Sequence, residues 1–152
     1  MSYQFIRTNI HDTHFLEMVK MLDAELRDMY GDQQDDFDPH NKLKEDTFVL
    51  VVKTNDQTIG CGAFRPMEDG VAEIKRMFVH PDHRGKGLSK LILSELETWI
   101  KEKQYSYIKL ETGNKNIAAL SLYPASGYEP IEPFGPYKSL PGSFCFGKKI
   151  KF

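Results

Sequence analysis

Residues able to do chemistry concentrate in one short run, Arg84-Gly85-Lys86-Gly87-Leu88-Ser89, which follows His80-Pro81-Asp82-His83. Two glycines at alternate positions permit backbone geometry that other residues resist, and they leave no Cβ in the way of a ligand. A helix expected to begin near Gly87 adds unpaired N–H groups and a partial positive charge, and Arg84 and Lys86 add formal charge. Such a run can hold a pyrophosphate largely by main chain. It does not fit the P-loop spacing, because His80 stands where the first glycine belongs and Gly87 where the hydroxyl residue belongs. It fits a dinucleotide fingerprint poorly, because Lys90 replaces the third glycine and the strands before it read as a meander. A tight turn with a basic rim and no ligand is the plain alternative.

Other chemistry-bearing residues are more dispersed. Glu73 and Glu111 fall in separate strand-like runs. Glu25, Asp28, Asp32, Asp35, Asp36 and Asp38 crowd one helix end and the segment after it, where they could attract a cationic group or serve as a solvated acidic loop. His80, Asp82 and His83 lack further ligands at a fitting spacing, so no metal is expected. Cys61 and Cys145 sit far apart in apolar runs and read as buried free thiols of a reducing compartment.

The elements that must position these groups follow from periodicity. Phe15, Met18, Val19, Leu22, Leu26 and Met29 recur at helical spacing, with Asp12 or Thr13 placed to cap the start. Gly31 to Asn41, rich in Asp and Gln, is expected to be a loop. Phe48 to Val52, the turn Asn55-Asp56 and Thr58 to Phe64 form a predicted hairpin, and Glu68-Asp69-Gly70 turns the chain into a strand from Val71 to Val79. Leu88, Leu91, Ile92, Leu96, Trp99 and Ile100 trace one face of a helix from Gly87 to Lys103. A strand at Tyr107 to Glu111, a helix at Ile117 to Ala125 and a strand at Ser143 to Ile150 follow, and with one strand ahead of the first helix the order is β-α-β-β-β-α-β-α-β, an α+β pattern.

Composition narrows the function classes. The 152 residues fit one domain, and the 40% hydrophobic and 28% charged content is that of a globular chain. The net charge of −2 argues against nucleic acid, which needs a concentrated basic face. No apolar run is long enough to span a membrane, and the start Met1-Ser2-Tyr3-Gln4-Phe5 lacks the features of a signal peptide, so a cytoplasmic location is expected.

Arg84-x-x-Gly87-x-Ser89 resembles the Gln/Arg-x-x-Gly-x-Gly/Ala segment of the GNAT N-acetyltransferase superfamily, with Ser89 a small-residue departure at the last position. Glu73-Ile74-Lys75-Arg76-Met77-Phe78-Val79 with Pro81 resembles the family's fourth strand, and Asn116-x-x-Ala119-x-x-Leu122-Tyr123 before Gly127-Tyr128 resembles its later motif. Phe134-Gly135-Pro136-Tyr137 with Cys145-Phe146 is similar to a bacterial subgroup of small members whose acceptors are unassigned.

The resemblance implies a single domain over residues 1–152. Its fold would be α+β, a mixed, mostly antiparallel central sheet flanked by helices, with splayed fourth and fifth strands. It implies acetyl-CoA as co-substrate and no metal. Backbone at Met77, Phe78 and Val79 would pair with the pantetheine arm, Asn116 would reach it from the other side, and Arg84, Gly85, Lys86, Gly87, Leu88 and Ser89 would hold the pyrophosphate. Tyr123 would contact the coenzyme and protonate the departing thiolate; a core aromatic is its alternative reading.

The implied acceptor is a primary amine of a small molecule. Freeing the lone pair of an amine with a pKa near 10.4 costs roughly 4 kcal/mol at neutral pH, so a base is useful. Glu73 is the first candidate, with Glu111 second; an ion-paired strand carboxylate beside Lys75 or Arg76 is the alternative for Glu73. Phe134, Tyr137, Phe144 and Phe146 could line an acceptor pocket or form core and a homodimer contact. A non-catalytic acyl-CoA-binding domain and a protein N-acetyltransferase are the rival readings.

Overall fold

The computed structural model describes residues 2–37 and 42–152. Seven strands form one sheet in the order β1-β2-β3-β4-β5-β7-β6. They are β1 (Gln4–Thr8), β2 (Phe48–Thr54), β3 (Gln57–Glu68), β4 (Val71–Val79), β5 (Tyr107–Gly113), β6 (Glu129–Ile131) and β7 (Ser143–Lys149). Helices α1 (Thr13–Tyr30), α2 (Gln34–Phe37), α3 (Leu88–Glu102) and α4 (Ile117–Ala125) accompany the sheet, with 3-10 turns at Gly31–Gln33, Pro81–His83 and Gly135–Ser139. The mixed, mostly antiparallel α+β sheet expected from the sequence is present.

The meander β2-β3-β4 forms because its turns have the right chemistry. Asn55 and Asp56 both adopt positive φ, 49° and 63°, the pair of left-handed residues that a two-residue hairpin turn requires. The central strands are covered on both faces, so they carry continuous apolar runs instead of alternation. Val49, Val51 and Cys61 pack under Phe15, Met18, Val19 and Leu22 of α1. Leu50, Val52, Phe64 and Ile74 face the opposite layer, where Ile92, Leu96, Trp99 and Ile100 of α3 are buried. Phe64 meets Trp99 edge-on at 5.2 Å and stacks on Phe48 at 4.8 Å.

Asp12 caps α1, accepting hydrogen bonds from the His14 and Phe15 amides, so the first of the two cap candidates is the one used. Where the sequence predicts a loop from Gly31 to Asn41, Gly31–Gln33 form a 3-10 turn and Gln34–Phe37 a short helix. Gly31 breaks α1 with φ 58°, burial of Gln34 anchors the next turn, and Arg27 bridges to Asp35 at 2.7 Å. The remainder of that predicted loop, at 38–41, lies outside the described residues, as do Asp38 and the side chain of Asp36.

Two features of β4 shape the site. First, β4 pairs with β5 in parallel only from Val71↔Tyr107 to Ile74↔Leu110. Beyond that point both strands continue, to Val79 and Gly113, without pairing to each other, and a gap opens between them. Second, the β3–β4 register slips between Cys61↔Phe78 and Ala63↔Lys75, leaving an extra residue on β4. Arg76 occupies this bulge at φ 59°, a left-handed conformation rare for a non-glycine residue. Its carbonyl accepts from the Cys61 thiol and its guanidinium reaches Asp23 of α1 at 2.9 Å, so two contacts hold the strained residue.

Candidate active site

The gap between β4 and β5 is flanked by two cavities that meet inside it. The larger, about 480 Å3, is lined by Met77, Phe78 and Val79 of β4, by Arg84, Gly85 and Gly87 of the turn and Leu88, Ser89 and Lys90 of α3, and by the α4 cap Asn116 with Ala119 and Tyr123 of α4. Its floor follows from local sequence. Pro81–His83 make a 3-10 turn after β4, and Gly85 and Gly87 then take φ near 79° and 78° before α3 starts at Leu88. Only glycine enters that region without cost. A Cβ at either position would meet no protein atom within 4 Å, so each glycine borders open space. As the N-terminal cap of α3, Gly87 offers no side chain to the first-turn amides, which leaves N–H groups for an anion.

Arg84 does not simply point into this cavity. Its Nε donates to the Val79 carbonyl at 2.9 Å and its Nη2 pairs with Glu25 of α1 at 2.6 Å. The guanidinium thus bridges the end of β4 to α1, with the Phe78 ring 5.4 Å away. Asn116 caps α4, its Oδ1 accepting from the Ala119 amide at 3.2 Å.

The smaller cavity, about 110 Å3, shares Leu22, Leu26, Met77, Asn116 and Tyr123 with the first and reaches Glu73, Lys75, Glu111, Tyr30 and Tyr137 beyond. Sheet register explains the carboxylates. Glu73 pairs with Lys109 across the parallel ladder, so Glu73, Lys75, Lys109 and Glu111 project from the same face of β4 and β5. Cys145 opposite Glu111 on β7 shares that face. The chain from Phe134 to Leu140 folds over it as a small apolar cluster.

Glu73 is 6% exposed and accepts a hydrogen bond from the Tyr137 hydroxyl at 3.0 Å. Lys75 Nζ stands 3.9 Å from it, whereas Arg76 pairs with Asp23 instead. Burial depresses the Lys75 ammonium, an effect that Glu73 opposes. Glu111 accepts from the Ser143 hydroxyl at 2.7 Å. Burial pushes its carboxyl up to about 7, with the Glu73 charge adding and the Ser143 bond opposing. A carboxyl held there exchanges a proton near neutral pH.

Tyr123 is 6% exposed and packs edge-on against Tyr128 at 5.7 Å. Burial, and then Glu111, raise its phenol well above the ordinary value, so it carries its proton at neutral pH. Tyr30 closes the far side. Its hydroxyl accepts from the Lys115 amide at 3.1 Å and lies so near Gly113 that a Cβ there would overlap it.

The structure brings Glu73, Met77, Asn116, Glu111 and Tyr123 to one gap, and Arg84, Gly85, Gly87, Leu88 and Ser89 to its mouth, whereas Lys86 does not line it. Of the acidic residues described on α1 and α2, Glu25 lines the larger cavity and pairs there with Arg84, while Asp35 pairs with Arg27. Phe134, Tyr137 and Phe146 are buried, while Phe144 is 48% exposed. Both cysteines are free and buried, and burial pushes the Cys61 thiol up to about 12. Among the described residues no group of three His, Cys, Asp or Glu could hold a metal ion, and no helix is long and apolar enough to cross a membrane. Sequence reasoning passed over Tyr30 and Ser143. Neither had a local signal, because Ser143 meets Glu111 only through the β5–β7 pairing and Tyr30 meets Lys115 from a distant helix.

The chain matches the model of the acetyltransferase (GNAT) family over residues 15–128. A protein from Azospirillum brasilense named IAA acetyltransferase is 31% identical over 137 residues, covering 89% of this chain and 90% of that one. A Klebsiella pneumoniae structure provisionally named as an acyl-CoA N-acyltransferase superposes with a TM-score of 0.81 at 28% identity, over 97% of each chain. The PaiA N-acetyltransferase of Thermoplasma acidophilum, solved in complex with coenzyme A, shares the fold with a TM-score of 0.71 at 19% identity, over 99% of this chain and all of that one.

Proposed function

The chain belongs to the acetyltransferase (GNAT) family and is an acetyl-CoA-dependent N-acetyltransferase, and from that premise we propose that it acetylates the primary amine of a small molecule by direct attack. Residues 1–152 act as one transferase domain in this reading. The observation that carries it is the junction at Met77, Asn116 and Tyr123, common to a long cleft ending at a helix N-terminus and a short cavity holding two carboxyl groups. The coenzyme A bound to the Thermoplasma relative supports assigning the long cleft to the donor.

In this mechanism the Arg84–Ser89 turn and the first amides of α3 bind the donor pyrophosphate, and backbone at Met77, Phe78 and Val79 aligns the pantetheine arm. Arg84 exchanges its Glu25 partner for phosphate, or remains as the strap that fixes the end of β4. Asn116 contributes its side-chain amide while its Oδ1 stays committed to the α4 cap. Amides freed at the Arg76 bulge stabilise charge on the thioester oxygen.

The acceptor nitrogen bonds to the carbonyl carbon as the carbon–sulfur bond breaks. Its proton passes to Glu73 or Glu111, directly or through a water, and Tyr123 returns a proton to the departing thiolate. Glu111, poised near 7, is the better matched acid–base group, and Glu73, held by Tyr137, orients the ammonium before attack. No enzyme nucleophile takes part, which agrees with two buried thiols kept protonated.

Incubation with acetyl-CoA and a panel of primary amines, followed by free-thiol release, tests this reading. Amine-dependent release that collapses in the Glu73→Gln, Glu111→Gln double variant is expected. Tight coenzyme binding without release for any amine would overturn it.

A further inference from the structure

A third cavity, about 200 Å3, lies on the other side of the Glu73–Tyr137 hydrogen bond. It shares Glu73, Lys75 and Tyr137 with the smaller active-site cavity, so the two have a common wall. Its charge is unlike that of the molecule as a whole. The chain carries a net −2, yet this cavity is lined by four cations, Lys42, Lys44, Arg65 and Lys75, against the single carboxylate of Glu73.

The cations are placed differently. Lys42 and Lys44 are exposed at the rim, whereas Arg65 and Lys75 have side chains only 19% and 14% exposed. Arg65 pairs with Asp46 through Nη2 at 3.2 Å, and its Nε is buried without a hydrogen-bond partner. A buried guanidinium N–H left unsatisfied costs stability unless something accepts from it. The acidic residues described on α1 and α2 do not line this cavity, and two of them are paired elsewhere, Glu25 with Arg84 and Asp35 with Arg27. This cavity is therefore predominantly basic.

We propose that the acceptor is a small amine bearing an anionic group at its other end, a carboxylate or a phosphate, which Arg65, Lys42 and Lys44 bind while the amine lies at Glu73. This rests on the transferase reading above and names the substrate class of that same site. The size fits a small molecule, since 200 Å3 equals roughly seven waters of liquid volume. The geometry also gives polarity of binding, because the one carboxylate in the cavity is the one facing the reaction gap. An ammonium is drawn inward to Glu73 and an anion is held outward. A planar guanidinium suits either oxyanion, and the exposed lysines add point charges.

Four acceptors of matched chain length test the proposal in steady-state kinetics: an ω-amino carboxylate, an aminoalkyl phosphate, a neutral alkylamine and a diamine. At least one anionic acceptor should exceed the neutral amine in kcat/KM by about tenfold or more, the yield of one charge-assisted contact, with the diamine lowest. The order of the two anions distinguishes carboxylate from phosphate. Arg65→Gln should remove most of that preference. Lys44→Glu, at an exposed position, should shift it toward the diamine while calorimetric binding of coenzyme A stays unchanged. Turnover that ignores the anion, or favours the diamine, refutes this site alone. Absence of thiol release with every acceptor refutes the underlying transferase reading and this site with it.

Discussion

Replacing Glu111 with Gln should stabilise the protein, and only at neutral and alkaline pH. The carboxyl has an ordinary value of 4.5 and is raised to about 7 in the fold. Below 4.5 it is protonated whether the chain is folded or not, and contributes no pH-dependent difference. As pH rises, the unfolded chain releases the proton first while the folded chain keeps it, so stability falls between 4.5 and about 7 and levels off above. At about 1.4 kcal/mol per pH unit, the full penalty is about 3 kcal/mol. The groups that act on the Glu111 carboxyl are Glu73 and Lys75 of β4 and Ser143 of β7, and its charge in turn reaches Tyr30, Tyr123, Tyr137 and Cys145. Gln keeps an acceptor for the Ser143 hydroxyl, so the substitution isolates the charge.

Urea unfolding of both proteins across pH 4.5 to 8 gives the difference directly. The variant should gain almost nothing at the acid end and about 3 kcal/mol at pH 8, or roughly 6–12 °C in Tm for a chain of this size. The same variant should lose activity, since the group that burdens the fold is the one proposed to take the amine proton. A stability difference that is flat across the pH range would refute the reasoning that burial, and not some other contact, sets this carboxyl.

Gly87→Val should cost about 1–2 kcal/mol of stability from its φ of 78° alone, because no protein atom opposes the new Cβ. Coenzyme A affinity by calorimetry should nevertheless collapse; retained affinity would remove this turn from the site. Tyr123→Phe should bind acetyl-CoA normally and turn over about 100-fold or more slowly, the usual yield of a lost general acid; equal rates would leave Tyr123 a core aromatic beside Tyr128. Tyr137→Phe removes the donor to buried Glu73 and should cost about 1–3 kcal/mol with a displaced pH–rate profile, while Kd for coenzyme A should not move; an unchanged profile would make Tyr137 purely structural.

What could be read from the sequence was what depends on neighbours along the chain. The hairpin at Asn55-Asp56, the long α3 and the Arg84–Ser89 turn each declare themselves within a few residues. Strand β6 did not, since Glu129–Ile131 is three residues long with Pro130 at its centre, and it exists only as an edge on β7. The Arg76 bulge was equally silent, because nothing about an arginine in a strand announces φ 59°. The acceptor side was the least legible. Glu73, Glu111, Tyr137 and Ser143 come from distant segments and meet only through the order β4-β5-β7. Burial then moves Glu111 from second candidate base to the better matched one, a change no local pattern carries.

The central claim is that an acetyl group passes from coenzyme A to an amine across the gap between β4 and β5. The most direct measurement pairs isotopically labelled acetyl-CoA with a turned-over primary amine and quantifies both products by mass spectrometry. One labelled N-acetyl product for each free coenzyme A, with no labelled adduct on the intact protein, is the predicted result. Free coenzyme A matched by labelled acetate, or label retained on the protein during turnover, would contradict it.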